Sequence, residues 1–163
     1  MADNSEDEAM GDSVNVSREI GAPRERVWRL VTDLERMGEW SNENTGGRWL
    51  DGATSASIGA QFRGANRNGV HRWSTRVTVT DLQPTERFSF RVTYLGLPIS
   101  AWTYTFEPTA EGCRITESWT DQRPGWFKPL AQLATGVHNR TDHTQTSIEH
   151  TLAQLAQAAE RTS

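Results

Sequence analysis

Large and polar side chains alternate along residues 60–121, and this alternation predicts an antiparallel sheet. Between Trp102 and Phe106, rings occupy every second position and threonines stand between them, which is typical of a strand with one buried face. Asn68-Gly69 is the strongest of the turn signals that interrupt the pattern, because both residues tolerate positive φ. We therefore predict a meander with strands near 60–67, 70–81, 86–94, 99–107 and 113–121.

Further strands and helices are predicted on both sides of this region. Residues 14–20 first alternate as a short strand, and Pro23 then opens a helix whose apolar side includes Val27 and Val31. A helical turn over 35–40 and a strand near 48–50 precede the meander. From Pro129 onward the apolar residues recur every three or four positions, which predicts a single helix over 130–159, about 45 Å long.

This order of one strand, two helices, six strands and one long helix belongs to the α+β class, with a curved antiparallel sheet around the terminal helix. A chain of 163 residues suits a single domain. Residues 1–13 are acidic, small and polar, so we expect a disordered tail there and one ligand-binding domain over 14–163. That domain holds 17 basic and 16 acidic side chains, which argues against nucleic acid as a partner.

Several short segments, in a particular order, are similar to those of a known family. They are Pro23 with Val27-Trp28 and Asp33, Trp40, the strand start from Gly59 to Gly64, Arg72-Trp73, and Thr116-Glu117-Ser118-Trp119. Together they resemble the START/Bet v 1-like (SRPBCC) superfamily, and within it the bacterial polyketide cyclase/dehydrase proteins, over about residues 14–159. The resemblance implies a helix grip with a deep cavity between sheet and helix. Members of the superfamily include lipid carriers, ligand sensors, cyclases and co-chaperones, so the fold alone does not select a function.

Glu117 is the main candidate for chemistry. If Ile115 and Trp119 face inward, strand parity places the Glu117 carboxyl group on the same face, inside an apolar cavity. Burial there disfavours the charged form, so we expect a raised pKa, a partner, or both. Such a group suits a ligand anchor or a general acid/base. The alternatives are a structural ion pair with an arginine, or a register that leaves Glu117 exposed.

The inward rings predict a cavity that the terminal helix covers without filling, because the central positions of that helix are small and polar. An ordinary aromatic core is the alternative. We expect the ligand to contact Trp49, Phe62, Asn66, Trp73, Phe90, Trp102, Tyr104, Glu117, Trp119, Thr141 and Thr144.

The leading hypothesis is that the protein binds a hydrophobic or aromatic small molecule, such as a lipid or a polyketide-like compound. The rival is an enzyme of the polyketide cyclase or dehydratase type, in which Glu117 or His71 acts as acid/base. His71 is included because it shares the inward parity of Trp73. A third possibility is an interaction module with a filled core, which would use the long helix or the arginine-rich outer face of the sheet.

The remaining expectations concern cofactors, partners and location. The four histidines, His71, His138, His143 and His150, lack the spacing of zinc ligands, and the sole cysteine, Cys113, has no cysteine partner. No glycine-rich loop has the spacing that binds phosphate, and no apolar run approaches the length of a membrane span. We expect no metal, no cofactor and no membrane span, and a cytoplasmic monomer or homodimer whose partner is a hydrophobic small molecule.

Overall fold

The computed structural model describes residues 11–161, and it contains one antiparallel sheet of seven strands. The strands are β1 (Ser13–Ile20), β2 (Asn44–Trp49), β3 (Gln61–Asn68), β4 (His71–Gln83), β5 (Arg87–Tyr94), β6 (Leu97–Thr109) and β7 (Gly112–Asp121). They lie in the order β1-β7-β6-β5-β4-β3-β2, so the first strand of the chain pairs with the last. The predicted fold class, with a meander of six strands after two helices, is confirmed.

The start of the domain lies slightly before its predicted boundary. Residues 1–10 of the predicted tail lie outside the described residues. β1 begins at Ser13, and the backbone oxygen of Asp12 accepts a hydrogen bond from the Asp121 nitrogen at 2.8 Å. Residues 12 and 13 therefore belong to the sheet domain.

Two helical segments follow β1, as their apolar spacing predicted. They are α1 (Arg24–Thr32) and a 3₁₀ helix (Leu34–Glu39). Pro23 precedes α1 with φ −59°, which suits a helix start. The Trp28 ring meets Phe106 edge to face at 5.3 Å between centroids, and Arg26 Nη1 donates to the Ala159 carbonyl oxygen at 2.9 Å. α1 thus packs against both β6 and the end of the terminal helix.

The predicted single helix over 130–159 is wrong, because the chain forms α2 (Lys128–Thr135) and α3 (Arg140–Glu160) after a 3₁₀ turn (Gly125–Phe127). Gly136 adopts φ +70°, a left-handed conformation that ends α2. Asn139 then caps α3, and its side chain accepts a hydrogen bond from the Asp142 nitrogen at 3.1 Å. With 21 residues, α3 is about 31 Å long.

The apolar core lies under the C-terminal half of α3. Ile148, Leu152 and Leu155 are buried there, as the helical spacing predicted. Leu130 and Leu133, which the prediction placed on the same stripe, are exposed because α2 is a separate helix. Towards the N-terminal half of α3 the inward residues become small or polar, and the packing opens.

Candidate ligand-binding cavity

A cavity of about 210 Å³ lies between the sheet and the N-terminal half of α3. Alternate residues of five strands line it, on the face that parity predicted. The sheet contributes Asn44, Phe62, Asn66, Trp73, Thr75, Val77, Phe90, Val92, Tyr94, Ile99, Ser100, Trp102, Tyr104, Glu117 and Trp119. The 3₁₀ helix after α1 contributes Leu34 and Met37, and α2 and α3 contribute Ala131, Ala134, Thr135, Arg140, His143, Thr144, Ser147, Ile148 and Thr151. Because the helix side is mostly small or polar, the space stays open where larger residues would fill it.

Most of the residues predicted to contact a ligand line this cavity, but Trp49 and Thr141 do not. Trp49 pairs with Phe62 across β2 and β3, and its ring packs against the Phe62 ring at 5.3 Å between centroids. Thr141 lies in the first turn of α3, where its hydroxyl donates to Asp12 Oδ2 at 3.0 Å. Trp49 therefore packs beside Phe62 on the edge strand β2, and Thr141 ties the helix to the start of β1.

His71 also lies outside the cavity lining. It begins β4, opposite Asn68 across the turn, and its ring stands against the backbone of Gly136. The sequence prediction missed this position because it treated residues 130–159 as one helix. The ring lies at the junction of α2 and α3, outside the residues that line the cavity.

Glu117 and Tyr104 form a buried pair on neighbouring strands. They face each other in register, and the Tyr104 hydroxyl donates a hydrogen bond to Glu117 Oε1 at 2.7 Å. Glu117 Oε2 is buried and has no hydrogen-bond partner among the described residues. Burial raises the pKa of Glu117 to about 8, although the hydrogen bond from Tyr104 opposes the shift. At neutral pH the cavity wall therefore presents mainly a neutral carboxylic acid.

The tyrosine of this pair stays protonated. Burial first, and then the charge and hydrogen bond of Glu117, raise the pKa of Tyr104 well above its usual value. Its hydroxyl proton is directed at Glu117 Oε1, which leaves Oε2 as the oxygen that can hold the acid proton. The pair can thus donate one hydrogen bond to an acceptor inside the cavity.

A charged cluster forms a second polar part of the wall. Arg140 Nη1 donates to both carboxylate oxygens of Glu43, at 3.1 and 2.9 Å, and His143 Nε2 lies 2.9 Å from Glu43 Oε2. Burial alone would raise the pKa of Glu43, but the hydrogen bond with His143 and the charge of Arg140 hold it below its usual value. The cluster joins the N-terminus of α3 to the segment before β2.

Arg123 reaches the cavity wall from the turn after β7. Its Nε and Nη2 atoms donate to the two oxygens of the buried Asp121, at 2.9 and 2.7 Å. Burial alone would raise the pKa of Asp121, but the hydrogen bonds and charge of Arg123 hold it below its usual value. Sequence reasoning missed Arg123 because it treated the stretch from Arg123 to Gly125 only as a turn signal.

Two further observations concern metals and membranes. Within residues 11–161, no group of three or more His, Cys, Asp or Glu side chains is arranged to hold a metal ion. In the same part of the chain, no helix combines the length and the apolar character needed to cross a bilayer.

The fold and the cavity together define a helix-grip protein, in which a sheet and its terminal helix enclose space for a small molecule. The chain belongs to the family described as polyketide cyclase / dehydrase and lipid transport, whose model matches residues 12–160. The resemblance noted in the sequence is thereby confirmed. No curated protein matches the sequence.

Solved structures agree with this assignment. Protein NE0264 from Nitrosomonas europaea has 18% identity and a TM-score of 0.66, with 91% of this chain and 94% of that chain covered. The Polyketide_cyc-like protein Cgl2372 from Corynebacterium glutamicum has 29% identity and a TM-score of 0.63, with 91% of each chain covered. The di-domain ARO/CYC StfQ from the steffimycin biosynthetic pathway has 12% identity and a TM-score of 0.73, with 94% of this chain and 52% of that chain covered. At 18% and 12% identity the likeness shows the fold alone.

Proposed function

We propose that the protein binds a small, mostly apolar molecule in this cavity, a lipid or an aromatic polyketide-like compound that carries an oxygen acceptor. The observation that supports this proposal is the buried, unpartnered Oε2 atom of Glu117. A buried polar atom without a hydrogen-bond partner lowers the stability of the fold by about 1–3 kcal/mol. A carbonyl oxygen of the ligand would be such a partner for the acid proton on Glu117 Oε2.

The other wall residues suit such a molecule. The rings of Phe90 and Trp102 are stacked, with an angle of 19° between their planes and 6.2 Å between centroids, and both line the cavity. They offer apolar contact to a flat ligand, while Tyr104 holds Glu117 in one orientation. In this arrangement the rings supply most of the affinity and Glu117 fixes the position of the polar end.

A matched pair of probes tests the role of Glu117. 9-Fluorenone and fluorene have nearly the same shape, but only fluorenone has a carbonyl oxygen that accepts a hydrogen bond. We expect the wild-type protein to bind fluorenone more tightly than fluorene at neutral pH, measured by calorimetry. Because the Glu117 pKa is about 8, the preference should be complete well below that pH and should fall as the pH rises through it.

Two variants control this experiment. Glu117→Gln keeps a donor without a titrating proton, so the preference for fluorenone should persist and become independent of pH. Glu117→Leu removes the donor and should bind both probes equally. Saturable binding of neither probe, or a preference that Glu117→Leu leaves intact, would contradict the proposal.

A second candidate function is an enzyme of the polyketide cyclase or dehydratase type, with Glu117 as acid/base. The raised pKa of Glu117 favours it, since a carboxylic acid that is protonated at neutral pH can give a proton to a leaving hydroxyl group and later take one back. The description of the family, polyketide cyclase / dehydrase and lipid transport, agrees with this hypothesis. In an enzyme, Glu117→Gln would reduce turnover by about 10²- to 10⁴-fold while binding of the same compound changed little.

A further inference from the structure

Five large apolar side chains are exposed at one end of the molecule, and we call them the apolar tip. They are Val70 (91% exposed), Leu95 (88%), Leu133 (79%), Trp126 (65%) and Leu130 (56%). Val70 lies in the turn between β3 and β4, and Leu95 lies in the turn between β5 and β6. Because β3, β5 and β7 run in the same direction, both turns lie at the sheet end where β7 leads into α2, which carries Leu130 and Leu133.

Contacts join these segments into one surface. The rings of Tyr94 and Phe127 lie 6.3 Å apart, and Asn68 Nδ2 donates to the Thr135 carbonyl oxygen at 2.9 Å. Tyr94, Phe127 and Ala131 also line the cavity. The segments that form the apolar tip on their outer side therefore form part of the cavity wall on their inner side.

The three segments that form the apolar tip carry basic side chains and no acidic ones. Residues 66–73, 91–100 and 122–140 contain no aspartate or glutamate. The same segments carry Arg67, Arg72, Arg91, Arg123, Lys128 and Arg140. Arg123 and Lys128 pair with Asp121, and Arg140 pairs with Glu43. Among the described residues, Arg67, Arg72 and Arg91 have no acidic partner. The turns at the other end of the sheet instead contain acidic residues, Glu86 between β4 and β5 and Glu111 between β6 and β7. The unpaired charge of these three segments is therefore basic, although the total charge of the domain is nearly balanced.

We propose that the apolar tip docks on the surface of a bilayer that contains anionic lipids. A tryptophan and several leucines that project beside basic residues are the combination that inserts into the boundary between headgroups and acyl chains. Basic side chains near an anionic leaflet add attraction. The exposed residues come from three separate segments, which a soft interface accommodates without a complementary protein surface. Docking in this orientation would bring the cavity wall next to a store of apolar molecules.

Vesicle binding by the full, ligand-free chain tests the proposal. We expect the protein to sediment with vesicles of phosphatidylcholine mixed with phosphatidylglycerol, and to bind vesicles of phosphatidylcholine alone more weakly. Leu133→Glu should weaken binding to the mixed vesicles by about tenfold or more, because it removes an apolar anchor and adds a repelled charge. Trp126→Ser should weaken it as well. Both residues are exposed, so circular dichroism should show an unchanged fold.

Ile58 provides the matched control, since it is as exposed as Trp126, at 67%, but lies outside the apolar tip. Ile58→Glu should bind vesicles like the wild type. No sedimentation with the mixed vesicles, or an equal loss in Ile58→Glu, would overturn the proposal. So would self-association that Leu133→Glu disperses, or binding to an acidic protein in place of vesicles. Since no ligand is present, these outcomes are independent of the fluorenone result.

Discussion

Glu117 connects the cavity to the stability of the fold. Its usual pKa of 4.5 applies in the unfolded chain, whereas burial raises the pKa to about 8 in the folded protein. Between these two values the folded state binds more protons than the unfolded state. The free energy of unfolding therefore decreases as the pH rises across this interval, and the full contribution of the neutral acid is present only below about pH 4.5.

Replacing Glu117 by Gln should remove this dependence. The glutamine oxygen can still accept the hydrogen bond from Tyr104, and no charge has to be buried. We expect the variant and the wild type to have similar stability near pH 5, and the variant to be more stable by a few kcal/mol near pH 9. Urea unfolding at the two pH values measures the difference. Glu111 lies in an exposed turn, so Glu111→Gln is the control and should leave the pH dependence of the free energy of unfolding unchanged. Parallel pH profiles for the wild type and Glu117→Gln would contradict the expectation.

At the scale of elements, the strands were predictable because alternation of large and polar side chains at every second residue indicates a strand and not a helix. A period of two fixes which side chains share a face, and Phe62, Trp102 and Glu117 all lie where this parity placed them. The prediction failed in the helical region. Apolar spacing continues across residue 136 and favours one helix, but Gly136 ends α2 in a left-handed conformation and Asn139 caps α3.

The parts of the site that sequence reasoning missed lie where no period applies. Glu43 follows a 3₁₀ helix in a stretch without regular alternation, and its partners Arg140 and His143 are about a hundred positions away in the chain. Only the three-dimensional fold brings them together. Two of the three predicted residues that lie outside the cavity lining, His71 and Thr141, are explained by the break between α2 and α3, because the two helices meet the sheet at different places from a continuous helix.

The junction of α2 and α3 should tolerate alanine poorly. At Gly136, φ is +70° and an added Cβ would stand 2.8 Å from the His71 ring, whereas at Gly69 φ is +59° and nothing lies within 4 Å. Gly69→Ala should therefore cost about 1–2 kcal/mol from backbone strain alone. Gly136→Ala should cost roughly 1–2 kcal/mol more, from the contact as well as the strain. Chemical denaturation compares the two, and equal losses would show that the His71 ring moves aside freely.

At the scale of the whole molecule, packing differs between the two ends of the domain. At one end Phe88, Ile115 and Leu155 fill the space between sheet and helix and are almost completely buried. At the other end the helix side chains are too small to do so, and Thr144 and Ser147 face the open cavity. The closely packed end of the domain thus fixes the distance between sheet and helix. At the other end this distance leaves a cavity, which can persist without a ligand.

Filling the cavity with a larger side chain should raise the stability of the fold and weaken ligand binding. Thr144 is buried, lines the cavity and lies on the inward face of α3, so Thr144→Leu adds apolar volume where the packing is open. We expect the free energy of unfolding to rise by about 1 kcal/mol, while binding of fluorenone and fluorene falls at least about tenfold because the ligand and the new side chain compete for the same volume. Thr141→Leu, three residues earlier and outside the cavity, is the control and should bind both probes like the wild type. If Thr144→Leu retained full binding, the ligand would have to lie elsewhere, since a leucine at this position and a molecule in the cavity cannot occupy the same space.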